Sequence, residues 1–196
     1  MHRTVQPPGR RARVKQERLS DVKIKPGVLA VAVPLVVTVL AGCGTTDEGS
    51  GVPFAGTRTS KDAADDLEGV SSGVRDLIGV RGKVPDSGAT VTECSGRDPD
   101  KYFRILHPWS FYPASASGLD DAMQHLKERL PKQGWKIVEY GPDTSRNKNV
   151  VLTADNDGLK AGVHIIRMAK DDPPMLSVDV VSGCYQAPDG QEVDHF

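Results

Sequence analysis

The side chains of this 196-residue chain best suited to covalent, redox or acid–base chemistry are its three cysteines and five histidines. His107-Pro108-Trp109 is the densest candidate, with Phe111 and Tyr112 close behind it. A loop there, between a strand and a helix, would place His107 beside an aromatic wall, so His107, Trp109, Phe111 and Tyr112 are the candidate ligand contacts. Catalysis would further need a nucleophile within reach of His107 and an acid to orient the ring. Ser110, Ser115 and Asp120 are near in sequence, but no nucleophile-elbow motif surrounds a serine. Packing of Trp109 and Phe111 over a sheet edge is the simpler expectation.

Other patterns carry less. Asp155, Asp157 and Gly158 echo the start of a calcium loop, yet Lys160 and Ile166 stand at later positions where that loop has other requirements. A hairpin turn explains the same residues. His164 and Arg167 fall on opposite faces of a predicted strand and join no cluster. No phosphate-binding glycine loop, metal-ligand spacing or cofactor fingerprint occurs, so the expected metal and cofactor complement is none.

The N-terminal stretch differs from the rest. Eight Lys or Arg precede residue 26, against Glu17 and Asp21 alone, and Val28 to Leu40 is almost wholly apolar apart from Pro34 and Thr38. A basic segment, an apolar run and then small residues is the order of an export signal. The run is short of the ~20 apolar residues of a spanning helix and is broken by proline. Val22-Lys23-Ile24-Lys25 would suffice as the basic segment, so Val22 is an alternative to Met1 as the start of translation; mass spectrometry of the precursor decides between them. Arg10-Arg11 lies too far upstream to serve twin-arginine export.

The run ends in Leu40-Ala41-Gly42-Cys43, which resembles the lipobox of bacterial lipoproteins. The resemblance implies that the Cys43 thiol receives a diacylglycerol and that cleavage makes Cys43 the first mature residue. Residues 1–42 are then signal peptide, 43–60 a lipidated cysteine with a flexible tether rich in Gly, Thr and Ser, and 61–196 an extracytoplasmic domain. The expected location is the outer face of the cell membrane, held by lipid.

Beyond Cys43 the chain keeps 17 Lys and Arg against 24 Asp and Glu, a formal charge of −7. Such a domain lacks the cations that nucleic acid requires, and anionic lipid would repel it mildly, so acyl chains must carry the membrane contact. With Cys43 set aside, Cys94 and Cys184 can form one intramolecular pair. Outside the cytoplasm a disulfide persists, and neither a C-x-x-C spacing nor a histidine set favours a reactive or metal-binding pair.

The elements that must position these residues follow from periodicity. Ser60 caps a helix whose stripe is Leu67, Val70, Val74 and Leu77. Thr90 to Cys94 and Tyr102 to Leu106 read as strands. Ser117 and Asp120 form a capping-box pattern before a second helix lined by Leu119, Met123, Leu126 and Leu130, closed by Pro131 and Gly134. Trp135 to Tyr140, Val150 to Ala154, Lys160 to Met168 and the alternating Leu176, Val178 and Val180 are further strands, the middle two joined by the Asp155 to Gly158 turn. The expected fold is α+β, a two-layer sandwich of a mainly antiparallel sheet on two helices, in the order α-β-β-α-β-β-β-β.

Lipobox, tether, first helix, Cys94, the helix running into Gly134-Trp135, the hairpin and the closing Ser182-Gly183-Cys184-Tyr185 together resemble the LppA-like lipoproteins of mycobacteria and other actinobacteria. The resemblance implies paired cysteines and this sheet order, and it carries over no catalytic residue. By elimination the expectation is a non-enzymatic domain that binds an envelope protein or component. The alternatives are a small hydrolase using His107 with an acid from the second helix, and a carrier of an apolar ligand between helix and sheet.

Overall fold

A computed structural model describes residues 52–115 and 117–196. The basic segment, the apolar run, Cys43 and the start of the tether lie outside the described residues. Among those described, the chain is mixed α/β, with a curled sheet of nine strands and two α-helices. In chain order these are β1 (Phe54–Thr57), α1 (Ser60–Asp76), β2 (Gly82–Lys83), β3 (Thr90–Glu93), β4 (Tyr102–Pro113), α2 (Gly118–Arg129), a 3-10 turn (Leu130–Gln133), β5 (Lys136–Pro142), β6 (Val150–Asn156), β7 (Ala161–Met168), β8 (Met175–Ser182) and β9 (Cys184–Gln186). Against the expected order, β1, β2 and β9 are additions. None of the described helices is long and apolar enough to cross a membrane.

The tether ends sooner than Ser60. Phe54–Thr57 pairs in parallel with β9, and the junction is held by backbone bonds from Cys184 N to Pro53 O (2.9 Å) and from Arg58 N to Gln186 O (3.0 Å). Main-chain pairing of this kind needs no apolar pattern, so nothing in the Gly- and Thr-rich sequence announced it. The cap of α1 is Thr59 rather than Ser60: the Thr59 hydroxyl accepts the Asp62 amide at 3.1 Å. Ser60 is buried within the helix and accepts the Asp194 amide, tying the C-terminal segment to α1. The capping box of α2 does not form. Ser117 already has helical dihedrals and caps nothing, while the Asp120 carboxylate receives Arg167 of β7 at 2.7 Å.

Strand β4 is the spine. One edge pairs with β8 over Leu106 to Phe111 and with β9 at Tyr102 and Phe103; the other pairs with β3 near its start and β2 at its end. The sheet then continues β8, β7, β6, β5, all antiparallel. Gly183 separates β8 from β9 where the backbones crowd, since a Cβ there would lie 2.5 Å from Pro53 O. The turn between β6 and β7 occupies Asp157 to Lys160, slightly later than the expected Asp155 to Gly158. Asn156 organises it, its side-chain oxygen accepting the Leu159 amide at 3.0 Å and its amide donating to Gln133 O. Asparagine suits this place because its side-chain oxygen stands in for a backbone carbonyl at the start of the turn.

Alternation and helical periodicity converge on one core. Phe103, Ile105, Trp109 and Phe111 of β4, Val163 and Ile165 of β7, and Leu176, Val178 and Val180 of β8 meet Leu67 and Val74 of α1 and Leu119, Met123 and Leu126 of α2. Each fully buried Leu or Ile in such a cluster contributes about 1.5–3 kcal/mol. Cys94, just after β3, is bonded to Cys184 at the start of β9, with Cα atoms 5.9 Å apart. The sheet corner that carries β1 and β9 is therefore covalently joined to β3.

Next to the disulfide, Tyr185 is buried and stacks on Phe103 with ring centroids 5.8 Å apart. Burial, then the Asp66 carboxylate, raise its pKa above the usual phenol value, against the opposing pull of Arg58. The folded state thus keeps this proton to higher pH than the unfolded chain does. Stability should fall as pH rises from about 10, where an unfolded tyrosine ionises, through the folded pKa. Urea midpoints measured across this range should decline less steeply for Tyr185→Phe than for the parent; equal declines would remove Tyr185 as the cause.

Candidate functional site

The structure divides the residues expected to form one aromatic wall between the two faces of a strand. Strand β4 does not stop at Leu106 but continues through His107-Pro108-Trp109 to Pro113. Proline is tolerated mid-strand because of where its nitrogen faces. Ile105 N bonds to Ser182 Oγ on the β8 side, so by alternation the Pro108 nitrogen faces the other edge. There, between the registers of β3 and β2, β4 forms no ladder, and a missing N–H costs no bond.

Alternation then divides the four side chains. His107, Trp109 and Phe111 lie on the face toward α1, with Trp109 and Phe111 in the core, whereas Tyr112 lies on the opposite face. Trp109 Nε1 donates to Ser71 Oγ of α1 at 2.7 Å, so its polar atom is satisfied within the protein. The cavity that His107 and Trp109 share with Ser71, Arg75 and Asp86 has a volume of about 80 Å³. Sites for small-molecule ligands run from ~300 Å³ upward, so this cavity is too small for one; an adjoining open cleft of about 310 Å³ is lined by Trp109 and Tyr112 together with Asp86 and Ser87.

The bonding at His107 is that of a donor through Nε2. Its Nε2 lies 3.1 Å from the Ser87 carbonyl oxygen and 3.4 Å from the Ser87 hydroxyl. A carbonyl can only accept, so Nε2 carries the proton and cannot take one from Ser87. Nδ1 is buried with no partner, where a catalytic dyad would need an acid holding its proton. Asp120, near His107 in sequence, pairs with Arg167.

His125 and His164 make bonds within the fold. His125 Nδ1 donates to Ile78 O at 2.8 Å, and Arg129 Nη1 to Leu77 O at 3.2 Å, so α2 satisfies carbonyls at the end of α1. His164 lies on the outer face, away from the helices, with Nδ1 2.9 Å from the Thr153 hydroxyl, which itself donates to Glu139. Arg167 points to the inner face, as alternation required. Among the described residues no three His, Cys, Asp or Glu side chains converge on a metal-sized site. Cys43, the expected lipidation site, lies outside the described residues.

No family model, curated protein or solved structure matches this chain.

A site that sequence reading passed over lies on the outer face of the sheet. A cleft of about 490 Å³ opens there, its lining including Arg104 of β4, Val181 of β8, Gly162 of β7, and Asp155, Asp157 and Lys160 at the β6–β7 turn. The cross-strand row Asp155, Gly162, Val181 forms its floor, and Gly162 leaves that floor low. Arg104 makes no side-chain hydrogen bond or ion pair among the described residues, and its Nε is buried without an acceptor. Two signals were present in the sequence: an arginine at an outward position of an otherwise apolar strand, and glycines inside strand patterns, which mark close approach of a ligand or of backbone.

Proposed function

We propose that this chain is a lipid-anchored, non-enzymatic binding domain on the outer face of the cell membrane, held there by lipid on Cys43 and related in pattern to the LppA-like lipoproteins. The observation that carries this reading is the order of basic segment, apolar run and Leu40-Ala41-Gly42-Cys43, set directly before a domain closed by the Cys94–Cys184 disulfide. A disulfide of this kind suits an oxidising compartment, which agrees with export. The domain is read as a two-layer sandwich, because the buried stripes of α1 and α2 share one core with the inward residues of β4, β6, β7 and β8. The partner is an envelope protein or component, and the −7 charge of the mature chain argues against nucleic acid.

Labelling cells with a palmitate analogue and fractionating them tests the anchor. The parent protein should carry label and sediment with membranes, and Cys43→Ala should lose the label. Retained label in Cys43→Ala, or an unmodified Cys43 in the mature parent by mass spectrometry, would show the anchor to be misassigned.

A second reading, a carrier of an apolar ligand, is favoured by one specific feature. A groove of about 530 Å³ runs between α1 and the segment around Trp135, lined by Val70, Val74, Leu77 and Leu159. Gly69 and Gly73 line the same groove from α1, and a Cβ on either would meet nothing within 4 Å. Saturable uptake of a fluorescent fatty acid, abolished by Gly73→Leu, would favour this reading over the first.

A further inference from the structure

We propose that the outer-face cleft binds a phosphate carried together with an ammonium group, the chemistry of phosphoethanolamine, with the phosphate on Arg104 and the ammonium at Asp155 and Asp157. The inference deepens the binding-domain reading and rests on it, since it names the ligand class of such a domain.

The unmatched guanidinium comes first. Arg104 lines an open cleft, yet it pairs with no carboxylate among the described residues, and one of its N–H groups is shielded from water with no acceptor. A guanidinium presents a planar fork of donors matched to the oxygens of phosphate or carboxylate. An anion bound here would supply the acceptors that the protein does not.

The rest of the lining decides what else the ligand carries. Asp155 and Asp157 stand at the opposite end, both exposed, with Lys160 beside them, so carboxylates outnumber ammonium two to one at that rim. A bare anion would meet these carboxylates and the −7 charge of the mature chain. A ligand that carries its own ammonium offsets both in part. The acid of β6 and the arginine of β4 are separated by β7 and β8, three strand spacings or about 14 Å between backbones. Asp155 Oδ1 lies over Gly162, Asp155 and Arg104 both line the cleft, and no ion pair joins the two. The gap suits a head group with charges a few bonds apart, and the glycine floor lets it sit against the sheet.

Position argues for phosphate over carboxylate. Val52 and Pro53 line the same cleft, and only eight residues separate Val52 from Cys43. An extended tether of that length spans at most about 30 Å, so under the anchored reading the cleft stays near a surface of phospholipid head groups. The same chemistry is available from the bilayer and from a free phosphoethanolamine in the envelope.

Calorimetric titration of the full exported protein in non-ionic detergent with phosphoethanolamine tests the site. Saturable binding with a Kd of about 1 mM or tighter is expected, weakened roughly tenfold or more in Arg104→Gln, with inorganic phosphate binding the parent more weakly. Gly162→Val, whose Cβ would sit 3.3 Å from Asp155 Oδ1 and fill the floor, should also lose binding while keeping the parent's circular dichroism. Absence of saturable heat, or parent-like affinity in both variants, would overturn the proposal. Hydrogen exchange of residues 155–162 and 181–184 then identifies the source. Protection in phosphatidylcholine nanodiscs only when phosphatidylethanolamine is included marks the head group; protection only with soluble phosphoethanolamine marks the free ligand; protection with neither overturns the site. Failure here with palmitate still found on Cys43 removes the ligand assignment alone and leaves the anchor standing.

Discussion

Replacing Cys94 and Cys184 together by alanine is expected to lower the free energy of unfolding by about 4–5 kcal/mol, a large part of what a domain this size possesses. The figure follows from loop-closure entropy for a crosslink across a sequence separation of 90 residues. Both cysteines are buried, at 2% and 1% exposure, so the alanines also leave apolar contacts unmade. The bridge joins the end of β3 to the start of β9, the short strand on which β1 depends for its pairing. The loss should therefore be greatest in that corner, seen as faster amide exchange at residues 54–57 and 184–186. Urea unfolding of the oxidised parent and the double variant measures the total. The m-value should rise in the variant, because the uncrosslinked denatured chain expands and exposes more surface. A loss below ~1 kcal/mol would mean that the denatured chain already keeps these segments together, so that the bond restricts little.

The same corner shows what could be read from the sequence and what could not. Leu176, Val178 and Val180 alternate without interruption, and β8 was legible because these three are apolar and buried on one face. The stripes of both helices were legible for the same reason, down to Leu130 and the left-handed Gly134 that closes the turn. Strands β1, β2 and β9, of four, two and three residues, were not. Strands so short show no periodicity; they exist because a neighbouring backbone offers them hydrogen bonds. Pro108 misled in the other direction, since a proline ends a strand only when its nitrogen faces a paired edge, and edge pairing is a property of the fold. The pairing of Cys94 with Cys184 could be reached by elimination once Cys43 was assigned elsewhere. The Arg104 cleft could not, because its row of residues comes from four strands whose register no local pattern records.

Trp109 gives the second large effect, and it separates a structural residue from a binding one. Trp109→Ala is expected to cost about 3–5 kcal/mol, as for other large aromatic side chains removed from a core. Trp109→Phe keeps most of the apolar volume but deprives Ser71, itself only 2% exposed, of the donor now 2.7 Å away. An orphaned buried hydroxyl costs about 1–3 kcal/mol, so the smaller change should still be measurable. Adding Ser71→Ala to Trp109→Phe removes the unmatched group and should recover part of that loss, giving a coupling energy in a double-mutant cycle. Tyr112, on the other face and only partly buried, should tolerate alanine with a much smaller change. A ligand-contacting Trp109 would behave differently: Trp109→Phe would leave the urea midpoint near that of the parent, and Ser71→Ala would show no coupling to it. Because the Ser71 bond spans α1 and β4 across 38 residues of sequence, a measured coupling would place Trp109 in the joint between helix and sheet.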